Sequence, residues 1–87
     1  MSATHFILYS RSYCHLCDDM LQALEELRPQ HDFSVEIVDV DADDKLVQLY
    51  DELVPVLTGQ KDGQSAVQLC HYFLDVPAVE RFMLSGN

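Results

Sequence analysis

Cys14-His15-Leu16-Cys17 is the stretch of this sequence whose residue types and spacing could do chemistry. Two thiols at i and i+3 suit a redox pair or one half of a metal site, and the spacing alone does not separate the two. Their setting says more. Cys14 follows a short apolar run, Phe6-Ile7-Leu8-Tyr9, and opens a stretch with helical periodicity. At a helix N-terminus, free backbone N–H groups and the positive end of the dipole favour a thiolate over a thiol. The thiolate is the form that attacks a disulfide, so Cys14 is the expected nucleophile. Cys17, one turn further on, is placed to resolve the mixed disulfide. His15 adds a titratable group beside the thiols, either as a solvated turn residue or as one that tunes the Cys14 pKa. Asp18 and Asp19 suit the dipole of a first helical turn but repel a thiolate, so they partly oppose that activation.

Other reactive side chains read more plainly. Cys70 is expected as a small buried hydrophobe. With His71 it could complete a zinc set of Cys14, Cys17, Cys70 and His71, but adjacent residues make a poor second knuckle. Asp39, Asp41, Asp43 and Asp44 lack the glycine and terminal glutamate of a calcium loop and read as a solvated, helix-capping turn. His5 and His31 are expected at the surface.

The elements that must position the cysteines follow from periodicity. Residues 6–9 suit a strand buried on both faces. From Cys14 to Leu27 the apolar positions 16, 17, 20, 21, 24 and 27 fall on one helical face, and Pro29 stops the helix. Phe33 to Val40 is rich in β-branched residues. The Asp41-Ala42-Asp43 turn offers N-cap oxygens to a short helix over 46–53. Residues 54–58 form a strand opened by proline, Asp62-Gly63 signals a hairpin, and a fourth strand is expected over 65–69. Asp75 caps a last helix that Gly86 ends. The order β-α-β-α-β-β-α predicts an α/β fold with a four-stranded mixed sheet and helices on both faces, filling residues 1–87 as a single domain.

With these residues in place, the chain resembles the glutaredoxins, small proteins of the thioredoxin fold. The resemblance rests on Tyr9-Ser10-Arg11-Ser12-Tyr13-Cys14-His15-Leu16-Cys17, on Val38-Asp39-Val40-Asp41 and on Val54-Pro55-Val56. It implies a thiol–disulfide oxidoreductase, with Arg11 stabilising the Cys14 thiolate or holding a substrate carboxylate. It also implies a cis Pro55 facing the cysteines, and a Val54 backbone that pairs with an extended substrate. No organic cofactor is implied beyond an electron donor, glutathione or a thioredoxin-reductase-type system. Two places depart from the pattern. His15-Leu16 replaces the usual Pro-Tyr, and Leu69-Cys70-His71-Tyr72-Phe73-Leu74-Asp75 lacks the glycine pair that grips glutathione. The competing expectation is a module that kept the fold for interaction or metal binding without redox turnover.

Composition narrows the partners. The 87 residues carry 15 acids against 5 bases, a formal charge of −10. That balance excludes nucleic acid and anionic membranes as natural partners, since both are held by basic residues. Three cysteines do not make a secreted disulfide framework, and no basic leader opens the chain, so a cytoplasmic monomer acting on protein or small-molecule disulfides is expected.

Overall fold

The computed structural model describes residues 4–61 and 63–84. Strand β1 (Thr4–Ser10) leads to helix α1 (His15–Glu25), strand β2 (Phe33–Asp39), helix α2 (Asp44–Tyr50), strands β3 (Val56–Lys61) and β4 (Val67–His71), and helix α3 (Val76–Leu84). The sheet order is β2-β1-β3-β4. β1 and β2 run parallel, as a helical crossover between them requires, and the other two pairs are antiparallel.

Alternation along the strands divides the sheet into two faces. Phe6, Leu8, Phe33 and Leu57 join Met20, Leu24 and Leu27 from the α1 region and Val79 from α3 in one buried cluster. Phe6 meets the Phe33 ring edge-on at 5.3 Å and lies 6.4 Å from Phe82. On the opposite face Tyr9 stacks at 4.7 Å on Tyr50 of α2. So α1 and α3 cover one face and α2 the other. Gly59 of β3 lets α3 approach: a Cβ there would stand 2.7 Å from the Phe82 ring and 3.0 Å from Leu69.

Several boundaries differ from the sequence expectation. α1 ends at Glu25, and the chain tightens through a Leu27 N–H to Leu24 carbonyl bond of 3.0 Å before Pro29. Val40 leaves the strand for a 3-10 turn, Val40–Ala42, where it is fully buried. Asp39 caps that turn and Asp43 caps α2 through the Lys45 N–H. β3 begins at Val56, because Pro55 has no N–H for the ladder, and runs on to Lys61, which pairs with Thr4. β4 accordingly sits two residues later than expected, with a bulge opposite Leu57 and Thr58. Asp75 does cap α3, accepting from the Ala78 N–H at 3.2 Å. The hairpin residue Asp62 and the stop at Gly86 lie outside the described residues. The two histidines expected at the surface are engaged. His5 reaches Ser34 at 2.6 Å, and the largely covered His31 meets Glu80 at 3.2 Å, tying the α1–β2 turn to α3. Among the described residues no helix is long and apolar enough to cross a membrane.

Candidate active site

One end of the sheet gathers the chemistry. Tyr9 pairs with Val38 and with Val56, and Val56 pairs with His71. The segment carrying the cysteines, the acidic turn after β2, the Val54-Pro55 segment and the Tyr72–Asp75 segment therefore all leave the sheet at the same end.

Cys14 and Cys17 form a disulfide, with Cα atoms 5.2 Å apart. Cys14 is the N-cap of α1 in extended conformation, and its Sγ accepts the Cys17 backbone N–H at 3.1 Å. A charge on Sγ would thus meet an oriented N–H and the positive end of the helix. Cys14 is half-buried whereas Cys17 is 4% exposed, so the first cysteine is the more accessible of the two. His15 follows on the exposed first turn, with no side-chain hydrogen bond among the described residues. Tyr13, just before Cys14, stands wholly in solvent with a left-handed φ of 59°.

Arg11 is held by two carboxylates. Its guanidinium donates to Asp41 at 2.7 and 3.3 Å and to the Asp51 carbonyl at 3.3 Å, and it pairs with the Asp51 carboxylate at 3.0 Å. Asp41 first and Asp51 second raise its pKa further. One cation between two carboxylates makes a trio of net negative formal charge. These contacts join the segment before Cys14 to the turn after β2 and to the end of α2.

The Val54–Pro55 bond is cis, and Pro55 is fully buried at the start of β3. Tyr72 holds this segment from the β4 side. Its N–H donates to the Pro55 carbonyl at 2.9 Å and its hydroxyl donates to the Glu52 carbonyl. Tyr72 adopts φ 64°, a conformation that disfavours non-glycine residues by roughly 1–2 kcal/mol. Sequence reasoning missed Tyr72, as well as Asp41 and Asp51 as partners of Arg11. Nothing in local patterning marks a tyrosine for a left-handed turn, and the two aspartates are 30 and 40 residues from Arg11.

Cys70, on β4 opposite Leu57, is half-buried rather than buried as expected, because β4 is an edge strand of the sheet. Burial pushes its thiol pKa up, against a backbone hydrogen bond from Asp75 that lowers it. Among the described residues no three His, Cys, Asp or Glu side chains gather to hold a metal.

The model of the glutaredoxin-like domain family matches residues 5–84. The chain belongs to that family. No curated protein matches it at a significant level. Among solved structures, protein Ne2328 of Nitrosomonas europaea is similar at 33% identity, with 93% of this chain and 92% of that one covered and a TM-score of 0.78. A structural-genomics protein from X. campestris is 30% identical over 88% and 92% of the two chains, at a TM-score of 0.59. Mitochondrial thioredoxin 3 of Saccharomyces cerevisiae, in its oxidized form, shares 20% identity over 92% of this chain and 76% of that one, at a TM-score of 0.66, a likeness of fold. The glutaredoxin-like domain thus has the thioredoxin-like architecture expected of it, with the Cys14–Cys17 pair at the end of the sheet where the four segments meet.

Proposed function

We propose that this glutaredoxin-like domain is a thiol–disulfide oxidoreductase in which Cys14 attacks and Cys17 resolves. The observation that carries the reading is the asymmetry of the pair. Cys14 is the accessible sulfur and accepts an N–H at the start of α1, while Cys17 lies buried one turn inside it. In the reduced protein the Cys14 thiolate attacks one sulfur of a substrate disulfide, forms a mixed disulfide and expels the other half as a thiolate. Cys17, deprotonated, then attacks the Cys14 sulfur. The internal disulfide closes, the second thiolate leaves, and two electrons have passed from the protein to the substrate. The Val54 backbone beside the buried Pro55 supplies an extended edge for the substrate. Arg11 and Tyr72 position the segments that carry these groups, and His15 stands at the mouth of the site. A thiol reductant regenerates the dithiol.

Turnover of hydroxyethyl disulfide with dithiothreitol as donor, together with intact-mass analysis, tests this. Cys14→Ser should abolish exchange, and Cys17→Ser should accumulate a mixed disulfide on Cys14. Exchange above the uncatalysed dithiothreitol rate that persists in Cys14→Ser would overturn the assignment.

A further inference from the structure

The charges of this molecule are distributed unevenly about the disulfide. At the cysteine end of the sheet, the connection from β2 through α2 to β3 carries Asp39, Asp41, Asp43, Asp44, Asp51 and Glu52, with Lys45 as its one base. Asp18 and Asp19 add two exposed carboxylates in the first half of α1, and Asp75 caps α3 at the same end. Arg11, the other base there, is consumed by Asp41 and Asp51. The other three basic residues of the chain belong to the far half. Arg28 follows α1 and bonds the Phe33 carbonyl at the start of β2, Lys61 ends β3, and Arg81 is in the last turn of α3. An incoming disulfide therefore meets the negative pole of the molecule, with no uncommitted guanidinium to receive a carboxylate.

We infer that the Cys14–Cys17 site is selective for disulfides flanked by positive charge and disfavours anionic ones, glutathione disulfide included. The inference rests on the oxidoreductase reading and names its substrate class. A field of one sign over a site raises the local concentration of oppositely charged ligand and its on-rate by roughly ten- to a thousandfold at low salt. A cationic disulfide gains from every carboxylate of this end, and the thiolates it leaves behind carry its positive charge away. An anionic disulfide must bring its own carboxylates into the same field, where Arg11 is already paired and Lys45 stands among a larger number of carboxylates.

The test uses the reduced full chain in stopped flow against cystamine, hydroxyethyl disulfide and glutathione disulfide. Each rate is divided by that of free dithiothreitol with the same disulfide, so that intrinsic reactivity cancels. The expected order is cystamine, then hydroxyethyl disulfide, then glutathione disulfide. The first should exceed the last by about tenfold or more at 10 mM salt, shrinking to a few-fold at 0.5 M as screening shortens from ~30 Å towards a few ångströms. Asp18→Asn with Asp44→Asn and Glu52→Gln should narrow the ratio without slowing hydroxyethyl disulfide. Two peptide disulfides of equal length, one flanked by lysines and one by glutamates, separate the sources. Greater discrimination between the peptides than between the small disulfides identifies a basic peptide segment as the substrate, and less identifies a small cationic one. Equal normalised rates, or glutathione disulfide fastest, would overturn the selectivity while leaving the redox reading intact. Failure of all the disulfides to oxidise Cys14 would overturn the redox reading itself.

Discussion

At the scale of single residues, the two sulfurs and Arg11 make separable claims. In the reduced protein Cys14 should alkylate first at neutral pH, because it is the less buried of the pair and has an N–H aimed at its sulfur, whereas Cys17 is buried. Cys70 should lag, since burial raises its pKa above the ordinary cysteine value of about 8.5. Timed iodoacetamide labelling read by peptide mass spectrometry checks the order, and fastest labelling at Cys70 would contradict it. The same raised pKa has a linkage consequence. Below about pH 8.5 Cys70 is a thiol in both folded and unfolded chains, and its effect on stability is constant. As pH climbs from there through the folded pKa, the unfolded chain loses the proton more readily, and stability falls. Cys70→Ala should flatten that alkaline decline in urea melts of the protein. Arg11 calls for a different readout. If it supplied charge to the thiolate, Asp41→Asn with Asp51→Asn would free that charge and speed the reaction. As a bracket between segments, it should instead slow in both Arg11→Ala and the double aspartate variant. The quantity to compare is the rate on hydroxyethyl disulfide at a pH below the Cys14 pKa, where the thiolate fraction limits the rate and a freed charge would raise it. A loss of about tenfold in both variants is expected, as misplacement of reacting groups commonly causes. A faster double aspartate variant would restore the charge role.

At the scale of elements, the site is only as well placed as the packing of α1 and α3 on the sheet, and Gly59 is a point of close approach between β3 and α3. A methyl group there meets the Phe82 ring, which is itself held near Phe6 and Lys61. Gly59→Ala should therefore destabilise by about 1–3 kcal/mol, the usual range for overpacking. In a Phe82→Leu background the penalty should shrink, and a double-mutant cycle in urea isolates that coupling. Gly63 is the contrast. A Cβ there touches nothing, but φ is 75°, so Gly63→Ala should lose about 1 kcal/mol from backbone conformation alone, with no dependence on Phe82. Equal dependence of both variants on Phe82 would show that the clash is not the cause. The elements themselves were legible in the sequence because each has a strong period or cap: the α1 face through Met20 and Leu24, the Asp43 and Asp75 caps, the apolar β1. Their ends were not. The β3–β4 hairpin lies further along the chain than expected because its register is set by pairing with β1, a long-range contact that turn residues do not encode. His31 reads as a loop residue until α3 brings Glu80 to it.

At the scale of the whole molecule, Cys14 and Cys17 could be found from the sequence because the chemistry needs two thiols one turn apart, and both are local. The polarity around them could not. A net charge of −10 says nothing of where the charges fall, and the concentration of acids at the cysteine end emerges only when β2, α2 and α3 are folded together. On the proposed oxidoreductase reading, that polarity should act on the redox equilibrium as well as on substrate choice. Reduction converts a neutral disulfide into a dithiol whose Cys14 ionises among carboxylates, so the reduced form meets a repulsion that the oxidised form does not. A unit charge about 10 Å away in water contributes roughly 0.4 kcal/mol, and a few such charges sum to ~1 kcal/mol, or about 20 mV for a two-electron couple. The N–H groups at the start of α1 oppose this, but they lie in contact with the sulfur and are screened little. The molecule measures 35 × 26 × 17 Å. At 10 mM salt the screening length of ~30 Å spans all of it, and at 0.15 M the ~8 Å length confines each carboxylate to its neighbours. Added salt should therefore relieve the repulsion while leaving the helix contribution in place. Equilibrated at pH 8 against dithiothreitol and its oxidised form, the protein should become more reduced as salt rises from 10 mM to 0.5 M. The midpoint should climb by about 10–20 mV and lose that dependence in Asp18→Asn with Asp44→Asn and Glu52→Gln. A midpoint that falls with salt would mean that the helix terminus, and not the acidic end, dominates the charge felt by Cys14.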